Sequence, residues 1–385
     1  MPEHKRQNAL LPPRRKSKQI LIGGVKVGGG APVVVQSMTS TLTQDITATV
    51  RQIKELEEVD CELVRVAVPD IEAARAIKDI KKQISIPLIA DIHFDYRLAL
   101  AALESGADGL RLNPGNIGEP ERIKKVVLAA KERGVPIRIG VNAGSLPSRM
   151  DSPVKPENDK GVDSRWSLPR TSIRGGNDRR RSIPDRMVDA ALAQIRLLES
   201  LDFDLIKVSL KAFDVPTTVA AYRAIADKIT YPLHIGITEA GPPRTGVIRS
   251  SVGIGTLLYL GIGDTIRVSL TAHPREEVIA GWEILKSLDL RQHGPVLVSC
   301  PTCGRAEVDI VKLAQEVEAE LTRIKKPIRV AVMGCAVNGP GEAKDADVGI
   351  AAGKGRAILF KKGRKIGVVE EKDIVRALMR EVERL

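Results

Sequence analysis

Short apolar runs rich in β-branched residues alternate along most of the chain with longer segments in which apolar residues recur every three or four positions. Runs of the first kind are typical of buried parallel strands, and the longer segments are typical of amphipathic helices. Eight strands are predicted, at residues 33–38, 63–68, 87–93, 109–114, 136–143, 205–211, 232–238 and 265–271. Eight strand–helix units in about 250 residues indicate an α/β fold, a (β/α)8 TIM-type barrel over residues 19–290. An open doubly wound sheet is the alternative, but no G-x-G-x-x-G motif follows the first strand.

Four segments lie outside this repeat. Residues 1–18 are basic and are interpreted as a solvated tail, and the Gly-rich sequence ILIGGVKVGGG that follows predicts a hairpin. Residues 145–182 are polar, rich in Pro and Gly, and much longer than a normal barrel loop, which predicts an insertion that is at least partly disordered. Residues 296–385 combine several short strands with two helices and predict a small α+β domain.

Composition and charge narrow the possible functions. A formal net charge of +12 is compatible with nucleic acid, an anionic surface or a small anionic substrate, but an aromatic content of 3% argues against a surface that stacks bases. No apolar stretch approaches the roughly 20 residues that a membrane-spanning helix needs, and the N-terminal residues lack the apolar core of a secretory signal. Four cysteines without such a signal favour a reducing compartment. We therefore expect a cytoplasmic protein that binds neither membrane nor nucleic acid.

Three of the four cysteines, Cys300, Cys303 and Cys335, lie at or near the ends of predicted strands in the C-terminal domain. Thiolates with C-x-x-C spacing bind either zinc or an iron–sulfur cluster. A structural zinc site needs four Cys or His ligands, and the residues around Cys335 offer no further one. Glu342 is the candidate for a fourth, oxygen ligand, which favours a [4Fe–4S] cluster with one labile iron. Structural zinc remains the alternative, and Cys61 is interpreted as a thiol of the barrel core.

Basic, amide and hydroxyl side chains occur at or near the C-terminal ends of several predicted barrel strands, where barrel active sites are built. The candidate substrate-binding residues are Arg65, His93, Arg111, Asn113, Arg138, Asn142, Lys207, Ser209, Arg267 and Ser269. Five of them are Arg or Lys, and a buried cation is costly unless an anion lies nearby. The strand ends hold too few acids to pair all five, so a bound phosphate or diphosphate is expected. Salt bridges to helix carboxylates are the alternative.

Glu239 follows the seventh strand within HIGITEAG and is the candidate general acid or base. Together with SCPTCGR around Cys300 and GCAVNGPGEA around Cys335, this motif resembles the 4-hydroxy-3-methylbut-2-enyl diphosphate synthase family of the methylerythritol phosphate route to isoprenoids. Further matching motifs are VVVQSMT, ADIHF, RLNPGN, GVNAGSL, KVSLK and GIGDTIRVSL. The resemblance extends from about residue 19 to the C-terminus. The basic N-terminal segment and the 145–182 insertion depart from it.

The resemblance implies an iron–sulfur oxidoreductase that opens 2-C-methyl-D-erythritol 2,4-cyclodiphosphate, adds two electrons and releases water. It implies one [4Fe–4S] cluster per chain, which reduced ferredoxin or flavodoxin reloads. It also implies a homodimer in which the cluster domain of one subunit covers the barrel of the other. Ferredoxin and flavodoxin are acidic proteins, which a chain with a net charge of +12 would attract.

Overall fold

The computed structural model describes residues 11–93, 95–112, 119–146, 182–335, 341 and 343–385. This part of the chain divides into two compact units, of which the first ends at Leu290 and the second begins at Arg291. Most of the predicted insertion and two candidate site residues, Asn113 and Glu342, lie outside the described residues.

The first unit contains an antiparallel hairpin followed by the eight predicted barrel strands. In chain order the strands are β1 (Ile20–Ile22), β2 (Val25–Val27), β3 (Val34–Met38), β4 (Leu63–Ala67), β5 (Leu88–Asp91), β6 (Gly109–Leu112), β7 (Ile137–Asn142), β8 (Ile206–Lys211), β9 (His234–Ile235) and β10 (Thr265–Ile266). Strands β3 to β10 pair in parallel in the order β8–β7–β6–β5–β4–β3–β10–β9. A parallel bridge between Val208 and Leu233 joins the two ends of this sheet, which confirms the barrel.

A helix follows every barrel strand. The helices are α1 (Ile46–Glu57), α2 (Ile71–Lys81), α3 (Tyr96–Glu104), α4 (Pro120–Glu132), α5 (Ile183–Glu199), α6 (Val215–Ala226), α7 (Pro243–Tyr259) and α8 (Pro274–Ser287). Asp45, Asp70 and Asp214 cap three of them, because each carboxylate accepts a hydrogen bond of 2.8–2.9 Å from the backbone N–H three residues later. Within the described residues, no helix combines the length and apolarity needed to cross a bilayer.

The alternation of side chains along each barrel strand decides what fills the barrel. On β7, Ile137, Ile139 and Val141 are buried in the core between strands and helices, so Arg138 faces the barrel interior. The same alternation turns polar residues inward on most of the other strands. Cys61 packs in the outer core as predicted, and burial raises the pKa of its thiol to about 12.

Residues 11–18 pack against the end of the barrel where the strands begin. Arg14 forms an ion pair of 3.3 Å with Asp264 and donates to the Gly263 carbonyl. Arg15 donates to three backbone carbonyls, those of Ala226, Ile229 and Tyr231. The prediction of a solvated tail is therefore wrong for residues 11–18, because these arginines complete hydrogen bonds that the barrel end would otherwise lack. Residues 1–10 lie outside the described residues.

The second unit is a mixed five-stranded sheet with two helices. Its elements are β11 (Val296–Ser299), α9 (Ile310–Leu321), β12 (Arg329–Met333), β13 (Val348–Gly353), β14 (Arg356–Lys361), β15 (Arg364–Glu370) and α10 (Ile374–Glu383). The strand order is β11–β12–β13–β14–β15, with β11 to β13 parallel and the last two pairs antiparallel. Apolar residues of both helices form one core with alternate residues of the sheet, which confirms the predicted α+β fold.

Helix α9 packs one apolar face into the core of the second unit. The apolar stripe that the sequence predicts here consists of Val308, Val311, Val317, Leu321 and Ile324. Val317 and Leu321 are buried as predicted, whereas Val311 is 51% exposed. Ile310 and Leu313 complete the buried face. The helix begins directly after its cap, Asp309, whose carboxylate accepts a hydrogen bond of 3.1 Å from the N–H of Lys312.

Candidate active site

Buried cations fill the inside of the barrel, where branched apolar residues usually pack. Arg65, Arg111, Arg138 and Lys207, on β4, β6, β7 and β8, are each no more than 9% exposed. They lie close enough for mutual repulsion, since Arg65 and Arg138 both lower the pKa of Lys207. Arg267 also repels Arg65. The structure thus brings all five predicted cations together, most of them out of contact with solvent.

Asp91, on β5, lies between two of these cations. Its carboxylate lies 2.9 Å from Nη1 of Arg111, 3.5 Å from Nε of Arg65 and 3.7 Å from Nε2 of His93. Burial opposes ionisation of Asp91, but Arg65, His93 and Arg111 outweigh that effect and hold its pKa well below the usual range. Burial also lowers the pKa of Arg65 to about 10, although Asp91 opposes this shift. Ionised Asp91 therefore compensates part of the charge of both arginines.

Glu277 approaches the barrel interior from helix α8 and binds Arg267. Its two carboxylate oxygens each accept a hydrogen bond of 3.2 Å from the guanidinium, which is the bidentate geometry of a strong pair. Ser37 and the backbone N–H of Leu270 also donate to this carboxylate, at 3.1 and 3.0 Å. For Arg267, the alternative of a salt bridge to a helix carboxylate is therefore correct.

Arg138 and Lys207 have no such acid within the described residues. Nε and Nη1 of Arg138 and Nζ of Lys207 are buried and have no hydrogen-bond partner there. Burial is the main cause that lowers the pKa of both groups, and repulsion from Arg65 lowers it further. A bound anion would supply the missing acceptors and favour the charged forms.

Lys211, a further inward-facing cation at the end of β8, is not among the predicted site residues. It is 7% exposed, and burial together with repulsion from Arg138 lowers its pKa well below the ordinary value. Gly236 leaves room for it, since a Cβ at residue 236 would lie 2.9 Å from Nζ of Lys211. A Cβ at Gly140 would likewise lie 3.0 Å from Nε of Arg111. The signal was present in KVSLK, where residues 207, 209 and 211 share one face of the strand.

Two neutral inward-facing side chains are also missed, Gln36 and His234. Both amide atoms of Gln36 and Nε2 of His234 are buried without a partner in the described part of the chain. Nδ1 of His234 lies 2.8 Å from the hydroxyl of Thr265, and burial, followed by repulsion from Lys211, lowers the pKa of His234 well below its ordinary value. The barrel interior is therefore polar well below its mouth.

The other candidates lie at the strand ends. Ser209 is buried, Asn142 and Ser269 are half-buried, and His93 is exposed. Glu239 is exposed on the loop after β9 and has a φ of 54°, in the left-handed region that favours glycine. Its loop is fixed at both ends, because the N–H of Thr238 donates to Ala212 and the N–H of Thr271 donates to Gly241. A strained residue on a fixed loop is common at functional sites.

In the second unit, Cys300 and Cys335 follow the neighbouring parallel strands β11 and β12. Their backbones therefore reach the same edge of the sheet, and the N–H of Gly334 donates to Sγ of Cys300 at 3.1 Å. Cys303 is exposed in the loop after Cys300. Among the side chains that the structure describes, no three Cys, His, Asp or Glu residues are placed to hold a metal ion.

Two family models match the chain, one in each unit. The model described as the GcpE TIM-barrel domain matches residues 17–282, and the model described as the GcpE protein C-terminal domain matches residues 296–384.

Curated relatives match almost the whole chain. The 4-hydroxy-3-methylbut-2-en-1-yl diphosphate synthase (flavodoxin) of Dehalococcoides mccartyi is 62% identical over 97% of this chain and 99% of that protein. The protein of the same name from Caldanaerobacter subterraneus is 52% identical over 98% of this chain and 99% of its own length. Among solved structures, a dihydropteroate synthase of Xanthomonas albilineans covers 71% of this chain and 98% of its own, at 13% identity and a TM-score of 0.46. That last likeness is too low to bear on fold or function.

Proposed function

The chain belongs to the GcpE family, and we propose on that basis that it catalyses the reaction of the 4-hydroxy-3-methylbut-2-en-1-yl diphosphate synthases. The substrate is 2-C-methyl-D-erythritol 2,4-cyclodiphosphate. Uptake of two electrons and two protons opens the ring, forms 4-hydroxy-3-methylbut-2-enyl diphosphate and releases one water. The observation that carries the proposal is the 62% identity to a relative of that name over 97% of the chain. Such a match across both units does not favour a barrel enzyme with a structural zinc domain.

The diphosphate binds inside the mouth of the barrel in this proposal. Arg138 and Lys207 support it, because their buried donor atoms lack acceptors within the described residues and diphosphate oxygens are strong acceptors. Arg65, Arg111 and Arg267 retain donors beyond those that their carboxylates occupy. The remaining proposed contacts come from residues at the strand ends, namely His93, Asn113, Asn142, Ser209 and Ser269.

Glu239 is the proposed acidic group beside the reacting carbons, where it would deliver or stabilise a proton. Glu239→Gln should lower turnover by about 100-fold or more, the usual contribution of a positioned acid or base. The visible absorption of the proposed iron–sulfur cluster should stay unchanged, because residue 239 is in the barrel unit and Cys300, Cys303 and Cys335 are in the other. Loss of that spectrum in the variant would instead assign Glu239 a structural role.

A [4Fe–4S] cluster, one per chain, is proposed on Cys300, Cys303, Cys335 and Glu342. Cys300 and Cys335 fit this role, because they reach one sheet edge and a backbone N–H already points at Sγ of Cys300. Hydrogen bonds of that kind tune cluster sulfurs and their ligands. When bound, the cluster supplies electrons one at a time. Glu342 enters through the sequence alone, as the oxygen ligand among three thiolates.

The proposed electron donor is reduced flavodoxin, which the names of the curated relatives include; ferredoxin is the alternative. A homodimer is proposed from the family resemblance.

Iron and acid-labile sulfide analysis of anaerobically purified protein tests the cofactor. About four irons and four sulfides per chain, with broad absorbance near 400 nm, are expected. Cys300→Ser and Cys335→Ser should lower iron content, whereas Cys61→Ser, at a thiol of the barrel core, should not. One zinc per chain and a colourless protein after anaerobic reconstitution would contradict the proposal and favour the zinc alternative.

A further inference from the structure

The hairpin formed by β14 and β15 carries a concentrated positive charge. Residues 354–370, called the basic hairpin below, contain six Lys or Arg and one acid, Glu370. The six cations are Lys354, Arg356, Lys361, Lys362, Arg364 and Lys365. Lys361 pairs with Glu381 at 3.6 Å and is half-buried, whereas the other five are exposed. A solvated hairpin would have this charge too, so charge alone does not make it a binding surface.

The basic hairpin also carries an exposed apolar patch. Ile366 and Val368 are 46% and 49% exposed, although alternate residues of β14 are buried against the helices. Val368 pairs with Ile358, and both line a groove together with Arg356 and Lys365. An apolar centre with a charged rim is the usual anatomy of a protein–protein interface.

The apolar patch lies at one end of a row of paired residues that leads across the sheet toward Cys335. A row of directly paired residues crosses the sheet from Met333 through Ala351 and Ile358 to Val368. Met333 lies two residues before Cys335. Three strand spacings separate β12 from β15, a distance of about 14 Å. A partner on the basic hairpin would therefore lie close to the end of the sheet that carries Cys335.

We propose that the basic hairpin is the docking surface for the acidic electron-carrier protein, and this inference rests on the proposed function. Each docking event passes one electron and oxidises the carrier by one electron, so two events supply the pair that the substrate takes up. Charge complementarity favours an acidic protein as the partner of this surface, because the basic hairpin carries six cations and one acid. Nucleic acid is disfavoured because Phe360, the aromatic residue of the hairpin, is buried and unavailable for base stacking.

The test measures the affinity of oxidised flavodoxin for the cluster-loaded protein in low salt. The double variant Arg356→Glu/Lys365→Glu should weaken binding by about tenfold or more, and added salt should weaken wild-type binding. The matched control is Lys312→Glu/Arg323→Glu, which makes the same change in net charge at exposed residues on or just after α9. It should change the affinity by less than about threefold, because it alters only long-range attraction.

Turnover with dithionite, which needs no docking protein, separates the outcomes. Unchanged iron content and unchanged dithionite-driven turnover in the hairpin variant, with weakened flavodoxin binding, would support the proposal. The proposal would be overturned if flavodoxin binding weakened equally in both variants, or if the hairpin variant bound flavodoxin with wild-type affinity. A changed sedimentation of the hairpin variant would also overturn it, because that result would assign the surface to a second copy. Absence of dithionite-driven turnover in the wild-type protein would instead contradict the proposed function.

Discussion

The cations inside the barrel reduce stability unless their charge is compensated. Asp91 compensates part of the charge of Arg65 and Arg111, and Glu277 holds Arg267 with two hydrogen bonds. Arg138 and Lys207 depend on an acceptor that the described residues do not supply. The ligand-free barrel is therefore expected to gain stability from an added diphosphate, by linkage of binding to folding.

Asp91→Asn removes the carboxylate that compensates two buried arginines. Leaving buried charge uncompensated costs about 3–5 kcal/mol, so the free energy of unfolding in urea should fall by roughly that amount at neutral pH. Asp79→Asn is the matched control, because Asp79 is exposed and pairs with Lys82 within one helix turn. It should leave the urea midpoint unchanged. An equal effect of both substitutions would contradict the role assigned to Asp91.

The ionisation of Asp91 should make the stability of the protein depend on pH. The folded-state pKa of Asp91 lies below its unfolded value of about 4, so its contribution is present above that value and is lost as pH falls below it. The wild-type protein should therefore lose more stability than Asp91→Asn when urea titrations are compared between pH 6 and pH 3. Parallel losses in the two proteins would show that Asp91 is not ionised in the fold.

Gly236 is expected to tolerate no side chain. A Cβ there would lie 2.4 Å from the carbonyl oxygen of Arg267, which is backbone and must move, and 2.9 Å from Nζ of Lys211. Misplacement of binding groups by about 1 Å can cost on the order of 100-fold, so Gly236→Ala should lower kcat/KM by about tenfold to 100-fold. Gly255→Ala, where a Cβ meets nothing within 4 Å, is the control and should retain activity. A wild-type kcat/KM in Gly236→Ala would show that a Cβ at residue 236 does not displace Lys211.

At the scale of elements, the segment that precedes the barrel has a structural role. Arg15 alone donates to three carbonyls at the end of the barrel where strands begin. Arg15→Ala should lower the free energy of unfolding by about 2–3 kcal/mol, because three partly buried carbonyls lose a charged donor. Lys16→Ala removes a neighbouring, exposed cation and should have almost no effect. If the two variants unfold at the same urea concentration, the segment does not stabilise the barrel.

Strand positions were predictable because β-branched runs report burial on both faces of a parallel sheet, and all eight appear in the barrel. The packing of residues 11–18 against the barrel was not predictable, because the acceptors of Arg14 and Arg15 lie more than 200 residues away in sequence or on other loops. The contact between Glu277 and Arg267 was not predictable either, because nothing in the sequence distinguishes Glu277 from a solvent-facing acid on a helix. Lys211 was predictable from strand alternation alone.

At the scale of the whole molecule, the first unit holds the buried cations and the second holds Cys300, Cys303 and Cys335, and the proposed chemistry uses both sets. The family matches cover residues 17–282 and 296–384, so each unit corresponds to one matched domain. The positive charge of the chain then has two separate uses in this account. We propose that it binds an anionic substrate inside the barrel and attracts an acidic protein at the basic hairpin.

The most direct test is an anaerobic turnover assay with 2-C-methyl-D-erythritol 2,4-cyclodiphosphate and reduced flavodoxin, with product identified by mass. One 4-hydroxy-3-methylbut-2-enyl diphosphate for every two electrons consumed is the predicted result. If protein that contains about four irons per chain, with flavodoxin kept reduced, leaves the cyclic diphosphate unchanged, the account of its function is contradicted.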